Sequence, residues 1–97
     1  MSSTSETTVA DAPDRHRFEI TVDGELAGFA EYRLRDDHIT FVHTEIDDAF
    51  AGKGLAGVLV RAALDDVRGR GLRVVAVCPY VKAWIEKHPD YADLTRS

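Results

Sequence analysis

The sequence has one cysteine, no cluster of basic residues and no long apolar run, and each absence excludes a class of protein. With Cys78 alone, the chain forms no internal disulfide and no thiolate zinc site, which fits a reducing compartment. The net charge is −5, whereas binding to nucleic-acid phosphates needs a basic stripe. No segment approaches the roughly 18 apolar residues of a membrane span, and the N-terminus lacks the features of a signal peptide. We therefore expect a cytoplasmic protein that binds neither nucleic acid nor membrane.

Residues 1–14 contain almost no apolar side chains that a core could bury. They are rich in Ser, Thr, Asp and Ala, a composition typical of a disordered tail. Residues 15–97 are expected to form a single domain, because a chain of 97 residues rarely divides into two. A domain of this size has little room for a lid, so its active cleft is expected to be open.

Apolar residues alternate with polar ones after Arg17, which predicts three antiparallel strands. The first is followed by Asp23-Gly24, a pair typical of a two-residue hairpin turn. The second runs from about Glu25 to Arg35, and the third from about His38 to Ile46. The second strand is predicted to place four apolar residues on one face: Leu26, Ala30, Tyr32 and Leu34.

The third predicted strand contains a break in its alternation. Ile39 and Phe41 share one parity, whereas Val42 and Ile46 share the other. One extra residue near 42–44, a β-bulge, would reconcile the two sets, and a bulge frees backbone groups that a ligand can use. A strand buried on both faces is the alternative.

The second half of the chain changes to a helical pattern. A helix is predicted from Gly54 to about Arg70, with an apolar face that includes Val58. The short apolar run Leu72–Val77 predicts a central parallel strand, and Tyr80–Lys87 a second helix. The fold class is therefore α/β (α+β): an antiparallel three-strand meander, then a helix, a parallel strand and a C-terminal helix.

A glycine-rich segment opens the first predicted helix. Helix N-termini carry unpaired N–H groups and about half a unit of positive charge, and glycine lets a phosphate approach them. The spacing of Gly52, Gly54 and Gly57 matches the dinucleotide fingerprint, but that motif follows a first strand and precedes an acid about 20 residues further on. Here three strands come first, and no Walker G-K-[ST] is present. The segment therefore predicts a pyrophosphate site of another kind.

The segment Ala51–Ala56 resembles motif A of the Gcn5-related N-acetyltransferases, [Q/R]-x-x-G-x-[G/A], in which Gly54 and Ala56 match and Ala51 departs. Two flanking segments, His43-Thr44-Glu45-Ile46 and Cys78-Pro79-Tyr80-Val81, resemble a subgroup of about 100 residues with a cysteine after the fifth strand. Members of this subgroup also carry a His-Pro near the C-terminus, here His88-Pro89. The resemblance covers roughly Phe18 to Leu94.

The resemblance implies a minimal acetyltransferase fold that binds acetyl-CoA or coenzyme A. It also implies that the pantetheine arm lies between the fourth and fifth strands, which splay apart. The acetyl group would pass to an amine of unknown identity, on a small molecule or a protein side chain. The cofactor-binding residues that the resemblance implies are Ile46, Gly52, Lys53, Gly54, Leu55, Ala56, Gly57 and Cys78.

Four residues are candidates for the chemistry of acetyl transfer. Glu45 and His43 are candidate bases, Cys78 is a candidate acyl acceptor or proton donor to the leaving thiolate, and Tyr80 is a second candidate donor. The alternatives are hydrogen bonding for the first two and packing for Cys78 and Tyr80. No metal site is expected, because no ligand pair has helical spacing.

Two other functions stay open from the sequence. One is a non-catalytic module that binds coenzyme A or interacts with a partner. Two features favour it: Ala51, and the lack of the helices that form a wall of the acceptor site in larger relatives. The other is a nucleotide-binding protein. The chain is expected to be a monomer or a weak homodimer through an exposed strand edge.

Overall fold

One mixed sheet carries two helices in the computed structural model, which describes residues 6–95. The strands are β1 (Thr7–Ala12), β2 (Arg17–Val22), β3 (Glu25–Leu34), β4 (His38–Ile46) and β5 (Arg73–Ala76), and the helices are α1 (Leu55–Gly69) and α2 (Pro79–Lys87). Short 3₁₀ segments cover Pro13–Arg15, Asp48–Phe50 and Pro89–Thr95. The strand order is β1-β2-β3-β4-β5, antiparallel up to β4, with β5 parallel to β4. The predicted meander, helix, parallel strand and C-terminal helix are confirmed.

The expectation of a disordered tail is wrong for the residues that form β1. This strand pairs with β2 along its whole length, from Thr7 opposite Val22 to Ala12 opposite Arg17. Its threonines suit a strand, and main-chain pairing compensates for the small apolar surface. Residues 1–5, also predicted to be disordered, lie outside the described residues. The single domain over residues 15–97 stays a prediction.

The Asp11 carboxylate ties β1 to the rest of the molecule. It accepts hydrogen bonds from the Tyr32 hydroxyl at 2.6 Å and from the Arg70 guanidinium at 2.7 Å. Burial of Tyr32, together with its hydrogen bond to this carboxylate, raises the pKa of that phenol. A polar bridge of this kind is invisible to a search for apolar residues, which is why the sequence pattern does not reveal it.

The predicted bulge in β4 is confirmed at Val42. His43 pairs with Glu31 and Phe41 pairs with Tyr32, so Val42 is the extra residue. Ile39 and Phe41 are buried, and the bulge reverses the parity after them. Thr44 and Ile46 are therefore partly buried, whereas His43 and Glu45 are exposed.

A second bulge, in β3, corrects the predicted apolar face of that strand. Ile20 pairs with Gly28 and Thr21 with Leu26, so Ala27 is the extra residue. Ala27 is buried in place of Leu26, which is 42% exposed. Leu34 is also half exposed, because β3 ends there, past the buried Tyr32.

Gly28 is required where β3 and β4 approach closely beside this bulge. A Cβ at this position would overlap the Glu45 carbonyl oxygen and the Ile46 side chain. We expect Gly28→Ala to lower the free energy of unfolding by about 1–3 kcal/mol, measured by urea denaturation, because one backbone must move. Gly69→Ala is the control: a Cβ on this α1 residue meets nothing within 4 Å, so stability should stay equal or rise. Equal stability of Gly28→Ala and the native protein would contradict the expected overlap.

The core lies between the sheet and the two helices, which contact each other. α1 crosses strands β1 to β5 and buries the following residues: Leu55, Leu59, Val60, Ala63, Leu64 and Val67. Val58, predicted to lie on this face, is 47% exposed because it faces a groove beside α2. α2 buries Val81, Trp84 and Ile85. Within residues 6–95, neither helix is long and apolar enough to cross a membrane.

The prediction of a central fifth strand is wrong, although its parallel direction is confirmed. β5 lies at the edge of the sheet, and the apolar run that contains it is not buried throughout: Val74 is buried, whereas Val77, just after the strand, is 60% exposed. The chain turns into α2 directly after Cys78, because Pro79 lacks an N–H and favours a first helical position. A monomer, or a weak homodimer through an exposed strand edge, stays a prediction.

Candidate functional site

The loop between β4 and α1 is held by its own backbone. The Asp47 carboxylate accepts the amide of Ala49 at 2.9 Å, and the Asp47 carbonyl accepts the amide of Phe50 at 2.8 Å. After this 3₁₀ turn, Gly52 and Gly54 adopt φ angles of 81° and 73°, a left-handed region that favours glycine. Gly54 is the residue that precedes α1, and no side chain caps the helix.

The first turn of α1 is therefore open to an anion. Its amides have no intrahelical partners, and no acidic residue lies in this turn. Among residues 6–95, nothing lies within 4 Å of a Cβ added to Gly52 or Gly54, so both glycines face open space. The Lys53 ammonium lies 5.9 Å from the Phe50 ring centroid, at the edge of the loop. This arrangement fits a pyrophosphate, which needs amide donors, an open approach and positive charge.

A gap in the sheet, defined by the edge of β4 from Val42 to Ile46 that no longer pairs with β5, leads to this loop. Their pairing ends at Phe41 and Ala76, and the Phe41 carbonyl then accepts both the Val77 amide at 3.0 Å and the Cys78 amide at 2.8 Å. β4 continues to Ile46, whereas the segment that follows β5 turns away into α2. Within residues 6–95, no strand pairs with β4 from Val42 to Ile46 on this side. Backbone groups there can pair with an extended ligand, as they would with a strand.

Cys78 lies at the closed end of the gap, as its position after the fifth strand predicts. It is 3% exposed and immediately precedes α2. Its Sγ lies 3.4 Å from the Thr44 Oγ1 on β4. Thr44 is not among the residues that the sequence pattern marks as candidates. The parity change that the bulge imposes was the signal that could have placed it opposite Cys78.

The two candidate bases lie together on the opposite face of β4. The His43 Nε2 is 3.1 Å from a Glu45 carboxylate oxygen, and both side chains are more than half exposed. The His43 ring lies 6.0 Å from the Phe29 ring, on the face of the sheet that α1 does not cover. The structure therefore pairs His43 with Glu45 at the end of β4, and Cys78 with Thr44. Ile46, at the end of the same strand, is partly buried.

Tyr80 faces the first turn of α1 across the groove between the helices. A Cβ on Gly57 would lie 3.7 Å from the Tyr80 hydroxyl and 3.7 Å from the Trp84 Nε1. Tyr80 is 41% exposed, and its hydroxyl lies near the first turn of α1. Trp84 is buried and stacks on His88, with ring centroids 3.8 Å apart, and His88 immediately follows α2.

The order of these elements matches one known family. They are a bulged strand, a glycine loop at a helix N-terminus and a cysteine after the next strand. The profile of the GCN5-related N-acetyl-transferases covers residues 17–94. The chain belongs to this family. The match begins at β2, so β1 lies outside it.

The relatives and solved structures support this assignment. Protein NATD1 of Bos taurus is 40% identical over 47 residues, 48% of this chain and 42% of NATD1. The human NATD1 is 38% identical over 47 residues. The matched region thus spans less than half of these relatives. A GCN5-like protein from Staphylococcus aureus superposes with a TM-score of 0.67 at 25% identity, over 90% of this chain and 85% of that protein.

A second solved structure shows the same fold at lower identity. A ribosomal-protein-alanine N-acetyltransferase from Brucella melitensis superposes with a TM-score of 0.59 at 20% identity, over 84% of this chain and 61% of that protein. At this identity the likeness shows the fold alone. The small Gcn5-related N-acetyltransferase fold that the sequence predicts is confirmed.

Proposed function

We propose that this protein is an N-acetyltransferase that takes an acetyl group from acetyl-CoA and transfers it to an amine. One observation carries the proposal: the gap between β4 and β5 lies beside the uncapped N-terminus of α1 and ends at Cys78. An anion site, an unpaired strand edge and a thiol thus follow one another. The family generally uses acetyl-CoA, whose pyrophosphate, pantetheine amides and thioester have the same order.

The residues that would hold acetyl-CoA follow from this order. The amides of Gly52 to Gly57 would bind the pyrophosphate, with Lys53 adding a cation at the edge. The open edge of β4, from Val42 to Ile46, would pair with the pantetheine arm. Ala51 provides no polar side chain at the first motif position, but its amide donates a hydrogen bond to the Asp48 carbonyl at 3.2 Å, so the loop keeps its shape.

The chemistry divides between the two faces of β4. Acetyl-CoA supplies the thioester. His43 and Glu45, on the exposed face, are positioned to accept a proton from an amine that approaches over the uncovered sheet. Cys78 and Tyr80, on the helix side, are the groups that could protonate a leaving thiolate, and Cys78 could also accept the acetyl group. The acceptor is proposed to be a small amine or a protein side chain.

One observation favours a second function, a non-catalytic module that binds coenzyme A. The candidate bases His43 and Glu45 contact each other, whereas the hydrogen-bond partner of the Cys78 Sγ is Thr44, so neither candidate base pairs with the thiol. Such a module would need the glycine loop and the β4 edge but not His43, Glu45 or Tyr80.

The expected result of a coenzyme A titration distinguishes these functions. Amide shifts in ¹⁵N spectra should concentrate at residues 42–46, 52–57 and 77–80, because these line the loop and the gap. NAD and ATP are the matched controls, and larger shifts with either would favour a nucleotide-binding protein. Turnover is then tested by mixing the protein with acetyl-CoA and each of a panel of amines and measuring the released coenzyme A by chromatography. Binding without release on any amine would favour the module, and an absence of shifts at the loop would refute the cofactor site.

A further inference from the structure

The bulge at Val42 decides which β4 side chain faces Cys78. Without the extra residue, the parity of Ile39 and Phe41 would continue to His43, and an imidazole would point to the helix side. With it, Thr44 takes that place, and its Oγ1 lies 3.4 Å from the Cys78 Sγ. His43 points to the exposed face and pairs with Glu45. The local geometry thus replaces a cysteine–histidine pair by a cysteine–threonine pair.

The backbone fixes both members of this pair. The Cys78 amide donates to the Phe41 carbonyl at 2.8 Å, and the Cys78 carbonyl accepts the Lys82 amide at 3.0 Å. Thr44 is β-branched and lies in a strand, where its side chain has few rotamers. The two groups are therefore held at a fixed separation at the end of the gap.

We propose that Thr44 is a positioning residue for Cys78. The Thr44 hydroxyl donates a hydrogen bond to the Cys78 Sγ when the thiol loses its proton. This inference rests on the proposed function, in which Cys78 gives its proton to the leaving thiolate or loses it before attacking the thioester. In both cases the S–H bond breaks, its electron pair stays on Sγ, and the proton ends on the leaving coenzyme A thiolate. A hydroxyl donor then forms a charge-assisted hydrogen bond to the sulfur.

The other groups around Cys78 do not replace this donor. On α2, Pro79 has no N–H, and Lys82 lines a different groove with Val75 and Glu86. Tyr80 directs its hydroxyl to the first turn of α1, which carries no acidic residue. On β4, His43 and Glu45 point to the opposite face. Removal of the Thr44 hydroxyl should therefore act directly on the thiol.

The test is the titration of the cysteine itself in Thr44→Val, which has nearly the same shape without the hydroxyl. Because Cys78 is the single cysteine, selective ¹³Cβ labelling gives one cysteine resonance. The midpoint of its titration should rise by about one pH unit in Thr44→Val and return toward the native value in Thr44→Ser. Thr44→Ala repeats the test if the valine variant does not fold. An unchanged midpoint in a folded variant without the hydroxyl would overturn the proposal.

A second readout separates this inference from the proposed function. Where the protein turns over acetyl-CoA, Thr44→Val should lower kcat about tenfold with little change in KM, and Thr44→Ser should recover most of it. An undiminished kcat in Thr44→Val would overturn the role in catalysis. The titration needs no cofactor, so a raised midpoint in a protein without turnover would support the Thr44–Cys78 pair while the acetyltransferase proposal fails.

Discussion

Ala56→Glu is expected to weaken coenzyme A binding at least about 100-fold and leave the fold as stable as before, or slightly more so. Ala56 is the second residue of α1, in a first turn that has no acidic side chain. A carboxylate there interacts favourably with the helix N-terminus, by about 0.3–1 kcal/mol. The same carboxylate competes with a pyrophosphate for the loop amides and repels it. Like charges about 4 Å apart cost roughly 4 kcal/mol at an intermediate effective dielectric, so affinity should fall at least about 100-fold.

Ala56→Gln is the matched control, because glutamine has nearly the same size as glutamate and carries no charge. We expect it to lose less than about tenfold in affinity, which would assign the effect of glutamate to charge. Calorimetric titration gives the two affinities, and thermal unfolding shows whether each variant is folded. Equal losses in both variants would indicate a steric effect, and full affinity in Ala56→Glu would place the pyrophosphate elsewhere.

The sequence predicts the elements on which the site depends because their signals are local. The parity break around Val42 indicates a bulge, and the glycines mark where a helix begins. Cys78-Pro79 marks where β5 gives way to α2, since proline favours the first position of a helix. The resemblance to a family then predicts that these features line the binding site of one cofactor. Each of these predictions depends on a few adjacent residues.

The wrong predictions depend on contacts between distant residues. β1 is fixed by its pairing with β2 and by Asp11, whose partners Tyr32 and Arg70 lie far along the chain. The apolar run of β5 is typical of a central strand, but the chain turns into α2 before another strand can cover it. The pairing of Thr44 with Cys78 combines both kinds of information, a local bulge and a distant strand end.

Cys78→Ala is expected to lower kcat for acetyl transfer by about 10²–10⁴ while the affinity for coenzyme A changes little. The thiol lies at the end of the gap beyond the anion site, so its loss removes chemistry and leaves the phosphate contacts in place. Steady-state rates with the best amine, and the same calorimetric titration, give the two quantities. An unchanged kcat would show that Cys78 is a buried packing residue, and Tyr80→Phe would then test the remaining donor.

The two possible roles of the thiol leave different chemical traces. An acyl acceptor forms a bond from Sγ to the acetyl carbon, so protein mixed with acetyl-CoA and no amine should gain the mass of one acetyl group at Cys78. A proton donor gains no mass under the same conditions. Cys78→Ser is the informative variant, because a hydroxyl can still hydrogen-bond to Thr44 but is a much weaker acid than a thiol. If Cys78 acts as the donor, the serine variant should be nearly as slow as the alanine variant and bind coenzyme A as tightly as the native protein. Native turnover in the serine variant would mean that the hydrogen bond to Thr44, and not the acidity of the thiol, is what the reaction requires.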